Sequence, residues 1–184
     1  MWSNRLTNPH PWTSKITVDC LDTRVLEPRW DRARLGLPRW SSPKVKKACL
    51  KYEVGLAISS NNIVWINGGY PAGQYADNVI FRDYGLKECL TVGETVEADR
   101  AYHDDQIHNL NEYRNYPSLR KWQSDLMWRH EQLNSFLTSW KCLSNAWRGD
   151  LRNHTTVFNA VALIVQVSLE CGELQLHSIK DPDT

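Results

Sequence analysis

The sequence predicts a single α/β domain in which a mixed β-sheet is flanked by α-helices. Three observations favour this fold class. Segments rich in β-branched residues cluster in the first third of the chain, another short strand pattern follows a predicted helix, and the last third contains long segments with apolar residues at helical spacing. A length of 184 residues suits one domain with a substantial core.

The first strand is predicted at 16–26, where Ile, Val and Thr surround the acidic residues Asp19 and Asp22. Two further strands are predicted at 52–59 and 63–67. The Ser-Asn-Asn sequence between them indicates a hairpin, because Asn tolerates the backbone conformations of a short turn. We therefore expect three successive strands.

The glycine-rich segment at 68–73 is predicted to interrupt the sheet. A short helix is expected next, at 75–84, and Gly85 is placed to end it. Asp77 lies near the start of this helix, where a carboxylate can cap free backbone N–H groups. Helix capping alone would account for an acid at this position.

A fourth strand is predicted at 95–98 and is followed directly by Asp99. A long helix is predicted from 118 to about 142, because apolar residues recur there at helical spacing. Glu131 lies beside the centre of its apolar stripe. The last segment, 155–171, is almost wholly apolar, so its length predicts a buried helix, although its Val and Ile content also allows a strand.

Four carboxylates each stand beside a different apolar segment, and they are Asp19, Asp77, Asp99 and Glu131. Carboxylates from strand ends and a neighbouring helix can converge on a divalent cation. Hard cations such as Mg²⁺ take oxygen ligands, and a pair of them can stabilise both oxygens of a phosphoryl transfer. This pattern indicates metal-dependent chemistry on a phosphodiester. The alternative is that the four acids are ordinary solvated surface charges.

A basic stretch between the first two strands offers contacts for phosphate groups. Asp31 is the only acid among its cations, which are Arg29, Arg32, Arg34, Arg39, Lys44, Lys46, Lys47 and Lys51. A net charge of +1 gives the whole chain no field that would attract nucleic acid, so any attraction depends on a local patch. An ordinary solvated loop is the alternative interpretation.

The five cysteines are widely spaced and form no CxxC pair, which argues against a zinc site and a secreted disulfide framework. No segment approaches the run of about 20 apolar residues that spans a bilayer. We therefore expect an intracellular protein that does not enter a membrane. A separate hypothesis is a transition-metal site formed by His103, His108, His130 and nearby acids. His103 and His108 are five residues apart without a compact ligand motif, so we expect these two at the surface instead.

Six segments carry a family resemblance, and in chain order they are TVDCLDTRVLEP, SSPKVKKACLKYEVGLAI, IVWINGGYPAGQYADNVIFRD, GETVEADRAY, RHEQLNSFLTSW and HTTVFNAVALIVQVSLECGE. Their order and spacing resemble the PIF/Harbinger-type DDE superfamily endonucleases, a transposase-derived group. The resemblance covers about 17–173. It implies a ribonuclease-H-like mixed β-sheet flanked by α-helices, and one catalytic domain over 1–184 with a core at about 15–173.

By this resemblance, Asp19 corresponds to the first catalytic Asp and Glu131 to the helical Glu. Asp99 or Asp77 corresponds to the second Asp, and we rank Asp99 first because adjacent first and fourth strands would bring it beside Asp19. The implied cofactor is a pair of Mg²⁺ or Mn²⁺ ions, the implied partner is DNA, and the implied reaction is cleavage or strand transfer. The residues expected to hold phosphates are Lys44, Lys46, Lys47 and Arg148.

The chain also departs from the family pattern. Cys20 and Leu21 stand where the family usually has Gly-Thr, and Thr138 stands where a basic residue is usual. Eighteen residues precede Asp19, so we expect no N-terminal DNA-binding domain and, for targeting, a separate DNA-binding partner protein in the nucleus. A second hypothesis is a transposase-derived module that binds nucleic acid or protein without cleavage.

Overall fold

A computed structural model describes residues 14–28 and 39–179, and within them five strands form one mixed sheet in the order β3-β2-β1-β4-β5. The strands are β1 (Ser14–Arg24), β2 (Cys49–Ala57), β3 (Ile63–Pro71), β4 (Thr95–Ala98) and β5 (Ile107–His108). The first three pair antiparallel, whereas β4 runs parallel to both β1 and β5. Helices flank this sheet, which confirms the predicted α/β class.

Helices cover both faces of the sheet. They are α1 (Asp77–Asp83), α2 (Leu86–Cys89), α3 (Pro117–Thr138), α4 (Lys141–Ser144) and α5 (His154–Glu170), with a 3-10 turn at Leu151–Asn153. One apolar core joins the sheet to α3 and α5, and a second joins the opposite face to α1 and α2. Because side chains alternate between the two faces along β1 and β2, these strands contribute residues to both cores, and β2 is buried along its whole length.

The hairpin between β2 and β3 forms where the sequence predicts it, and a side chain of α3 forms hydrogen bonds to its turn. The guanidinium of Arg129 donates hydrogen bonds to the carbonyls of Ala57 and Ile58 and to the side chain of Asn61 at 2.9, 3.3 and 2.9 Å. Burial lowers the pKa of Arg129 to about 10, so the side chain stays charged at neutral pH. A buried cation therefore satisfies carbonyls that the turn leaves without strand partners.

The glycine-rich segment does not interrupt the sheet, so that prediction was wrong. β3 continues through Gly68 and Gly69 to Pro71. A Cβ at Gly68 would lie 2.6 Å from the Cα of Tyr52, so only glycine lets the two strands approach here. Gly69 has a φ of +88°, beside a register shift in the pairing with β2. The glycines thus mark a bulge within a strand.

The structure changes the predicted limits of two other segments. The polar segment after Asp99 contains a short edge strand, β5, that its sequence did not indicate. The long helix α3 ends at Thr138 rather than near 142, and Trp140 is extended before α4 begins. The hydroxyls of Thr138 and Ser139 donate to carbonyls of the last turn at 2.8 and 2.7 Å, which competes with continuation of the helix.

The apolar segment near the end of the chain is a helix, as predicted, but it is buried on one side only. Leu163, Ile164 and Val167 of α5 are 56%, 44% and 49% exposed. The opposite side packs on the sheet, where Phe158 stacks on Tyr52 with ring centroids 3.9 Å apart. In the described parts of the chain, no helix has the length and apolar character needed to cross a membrane.

The Tyr52–Phe158 stack gives a stability prediction. Phe158→Ala is expected to lower the free energy of unfolding by about 3 to 5 kcal/mol, because it leaves a cavity under a fully buried ring. Val167→Ala, on the exposed side of the same helix, is the control and is expected to change it by less than about 0.5 kcal/mol. Urea denaturation measures both. Equal losses in the two variants would contradict the assignment of the buried face.

Candidate functional site

The register of β1 and β4 brings two of the predicted acids together. Val18 pairs with Ala98 in the last pair of this parallel ladder, Asp19 is the next residue of β1, and Asp99 directly follows the end of β4. Alternation places Asp19 on the face that α3 covers, and Asp99 is near enough to raise the pKa of Asp19. On that face, Thr17 of β1 shares a 2.8 Å hydrogen bond with Nδ1 of His130 in α3.

Asp19 is 9% exposed and held by two hydrogen bonds. Its Oδ1 accepts the backbone N–H of Cys20 at 2.8 Å, and its Oδ2 accepts the side-chain amide of Asn134 at 2.9 Å. The other end of that amide, Oδ1 of Asn134, is buried and has no hydrogen-bond partner among the described residues. An uncommitted oxygen ligand therefore lies beside the central carboxylate.

Burial raises the pKa of Asp19 to about 7. The ammonium of Lys44 and the hydrogen bond from Cys20 lower this pKa, whereas the carboxylates of Asp99 and Glu131 raise it. Asp99 and Glu131 are thus near enough to Asp19 to oppose its ionisation. A cation among them would relieve this repulsion and favour the ionised form of Asp19.

The three acids differ in exposure. Asp99 and Glu131 are exposed, whereas Asp19 lies beneath them. Within residues 14–28 and 39–179, no group of three or more His, Cys, Asp or Glu side chains is spaced to hold a metal ion. The oxygen donors are of the type that a hard divalent cation binds. The side chains of Asp99 and Glu131 would have to rotate to converge on Asp19.

Asp77, the alternative second acid, lies on the opposite face of the sheet. Its carboxylate forms an ion pair with Lys51 of β2, whose ammonium is also 4.0 Å from Asp22. Burial lowers the pKa of Lys51, but the hydrogen bond to Asp77 and the charges of Asp77 and Asp22 together outweigh burial and leave the pKa raised. Asp77 does not cap α1, contrary to our expectation, because Ala76 occupies the cap position. A buried cation already neutralises this second group of acids.

The predicted phosphate contacts are distributed over two regions. Lys44, Lys46 and Lys47 are exposed in the loop before β2, and Lys44 is close enough to Asp19 to lower its pKa. Lys51 is not part of this loop, since it is buried within β2. Arg148 is exposed after α4. The predicted contacts at Arg29, Arg32 and Arg34 lie outside the described residues.

Sequence reasoning missed the polar side chains of α3 that face the sheet. Asn134 binds Asp19, and Gln123 donates to the carbonyl of Ala98 at 2.8 Å, directly before Asp99. His130 is 1% exposed, and burial followed by repulsion from Arg129 lowers its pKa to about 3. The sequence feature that could have revealed these residues is the spacing of four between His130 and Asn134, which places both on the buried side of the helix.

Compared with models of protein families, with curated protein sequences and with solved structures, the chain gives no match.

The raised pKa of Asp19 predicts how stability depends on pH. The folded chain keeps this proton up to about pH 7, whereas an unfolded Asp loses it near about pH 4. The free energy of unfolding therefore falls as pH rises between these values. Asp19→Asn is expected to be more stable than wild type at pH 8, by on the order of a few kcal/mol, and equal to it near pH 4.

Denaturant titrations at several pH values measure this difference. In Asp19→Asn, the new amide oxygen keeps the bond from Cys20, and rotation of the Asn134 amide lets its free oxygen accept from the new amide N–H. The control is Asp83→Asn, because a hydrogen bond from Arg82 lowers the pKa of that exposed acid. It is not expected to stabilise the chain at pH 8. A pH-independent difference between Asp19→Asn and wild type would contradict the raised pKa.

Proposed function

We propose that this chain is a divalent-metal-dependent DNA endonuclease of the DDE type with a ribonuclease-H-like fold. The observation that carries the proposal is the approach of Asp99 and Glu131 to the buried carboxylate of Asp19, whose pKa both of them raise. The adjacency of β1 and β4 supports it, because that arrangement is what the family resemblance requires. A group of oxygen donors of this kind is a site that a cation would stabilise.

The residues of this site have distinct roles in the proposed reaction. Bound Mg²⁺ or Mn²⁺ would supply the positive charge that stabilises the attacking and leaving oxygens of the phosphodiester. Asp19, Asp99 and Glu131 would hold the ions, with the oxygen of Asn134 as a further donor. The hydrogen bond from Cys20 keeps one oxygen of Asp19 in a fixed direction, which orients the carboxylate toward the site.

Basic side chains would bring the DNA to these acids. Lys44 is the cation best placed for this role, because it acts electrostatically on Asp19 and is exposed. Lys46, Lys47 and Arg148 would hold further phosphates without reading bases. Sequence-specific targeting would then come from a separate DNA-binding partner protein.

A second candidate function is a transposase-derived module that binds nucleic acid or protein without cleavage. The specific observation in its favour is that no metal-binding group of three side chains is assembled in the part of the chain described here. Asp19 is also engaged at both oxygens, by Cys20 and Asn134. A binding module would need the basic surface alone.

Metal binding is testable without catalysis. Mn²⁺ is expected to raise the melting temperature of the wild-type chain more at pH 8 than at pH 5, because the ion binds the ionised form of a carboxyl whose pKa is about 7. Asp19→Asn and Glu131→Gln are expected to lose most of this shift, whereas Glu88→Gln, an exposed acid on α2, keeps it. Equal shifts in all four proteins would show that Mn²⁺ does not bind at these acids.

Cleavage is tested with supercoiled plasmid DNA and Mn²⁺. Asp19→Asn, Asp99→Asn and Glu131→Gln are each expected to reduce the rate of nicking by at least about 100-fold, because each removes a metal ligand. Glu88→Gln again serves as the matched control. Loss of nicking in Asp77→Asn, with Asp99→Asn unchanged, would make Asp77 the second acid. Equal nicking by wild type and all variants would refute the enzyme proposal in favour of the binding module.

A further inference from the structure

A cavity of about 600 Å³ lies beyond the end of β1 and is strongly basic. Seven residues line it, and they are Arg24, Lys141, Cys142, Asn145, Ala146, Trp147 and Arg148. Three of these side chains are cations, and none is an acid. A cavity with this lining favours an anionic ligand over a neutral or cationic one.

The three cations are exposed and available to a ligand. Among the described residues, the side chains of Arg24, Lys141 and Arg148 form no hydrogen bond or ion pair, in contrast to the nearby Arg152, which binds the carboxylate of Asp150 at 2.6 Å. Three unpaired cations around one space repel one another. Phosphate oxygens would remove that repulsion and supply the acceptors that the guanidinium groups lack.

The backbone holds this cavity in place. Trp147 donates its backbone N–H to the carbonyl of Arg24 at 2.8 Å, and its own carbonyl accepts the N–H of Leu26 at 3.1 Å. Trp147 therefore pairs with Val25 as a short continuation of the sheet. The helix α4 directly before it contributes Lys141. The cations are thus attached to ordered elements of the fold, which lowers the entropy lost when a ligand binds.

The cavity and the acidic site lie along the same edge of β1. On this edge β4 pairs with β1 as far as Val18, and Trp147 pairs with it again at Val25. Neither covers the edge between these two points. Arg24 follows Asp19 by five residues in a continuous strand, a separation of about 17 Å at roughly 3.3 Å per residue.

We propose that Arg24, Lys141 and Arg148 form a binding site for phosphate groups of a DNA strand at a distance from the point of cleavage. A separation of about 17 Å corresponds to about five base pairs along a duplex. Arg24 and Asp19 point to opposite faces of β1, so a DNA strand in the cavity would pass around the edge of β1 to reach Asp19. Only the link between the cavity and Asp19 rests on the proposed function, because phosphate binding itself requires no cleavage.

A polymer fits the cavity better than a free phosphate ion. A second cavity of about 500 Å³ adjoins it and shares Trp147 and Arg148, so the two form one extended depression. Pro28, Asp150 and Arg152 line this second part, where Asp150 pairs with Arg152 and, among the described residues, Arg148 is the cation left unpaired. Its volume exceeds the needs of one small ion, and a backbone that presents successive phosphates would occupy both parts.

The test measures binding of a fluorescently labelled DNA duplex of about 20 base pairs by anisotropy, with EDTA present so that cleavage plays no part. The variant is Arg24→Gln, Lys141→Gln and Arg148→Gln together. A matched control removes three exposed cations elsewhere, through Arg82→Gln, Arg114→Gln and Lys121→Gln. Both proteins lose the same net charge, so any difference between them comes from position. Thermal melts establish that both are folded.

The cavity variant is expected to bind the duplex at least about tenfold more weakly than the control, and its logarithmic salt dependence is expected to fall by about 2 to 3, for two or three lost phosphate contacts. The double variant Lys141→Gln, Arg148→Gln should show an intermediate loss. Equal binding by the cavity variant and the control would overturn the proposal. So would displacement of the duplex by micromolar inorganic phosphate, which would assign the cavity to a small anion.

These outcomes are independent of the nuclease test. If the chain binds DNA through the cavity but does not nick it, the proposed enzymatic function is wrong and the proposed phosphate site stands. If the chain nicks DNA, but the cavity variant and the control bind DNA equally, the proposed function stands and the proposed phosphate site is wrong.

Discussion

The pairing of the central strand β1 on both edges is the constraint on which the structure depends. β2 pairs with it antiparallel and β4 pairs with it parallel, so β1 carries side chains to two separate cores. Strict alternation sends Thr17 and Asp19 toward α3, and Cys20 and Asp22 toward the opposite face. A slip of one residue would exchange these faces and place Asp19 among the apolar side chains beneath α1.

The two faces of the sheet handle buried acidic charge differently. On the α1 face, Lys51 lies between Asp22 and Asp77 and neutralises them within the fold. On the α3 face, Asp19 receives hydrogen bonds but contacts no cation among the described residues, and the repulsion from Asp99 and Glu131 remains. Lys51 thus supplies Asp22 and Asp77 with a cation from within the fold. Asp19 has no such buried partner among the described residues, and a bound cation would favour its ionised form, which is why we locate the proposed function there.

The unpaired edge of β1 links this acidic face to the basic cavity. Because β4 ends at Ala98, the strand has no neighbour on that side, within the described ranges, until Trp147. This edge lies between acids that suit a cation and cations that suit phosphates. This order of charges matches the needs of a phosphodiester substrate, whose backbone must be held at one point and polarised at another.

Local patterns in the sequence determined most of the secondary structure, including β4, α1 and the helical state of α5, because period and turn residues act between near neighbours. The local pattern wrongly predicted a break in the sheet at Gly68, because the role of this glycine depends on contact with Tyr52 across the sheet. Only the tertiary structure decided which acids share a face. Asp19 and Asn134 are 115 residues apart and meet through the packing of α3 on β1, and no local periodicity encodes a contact over that separation.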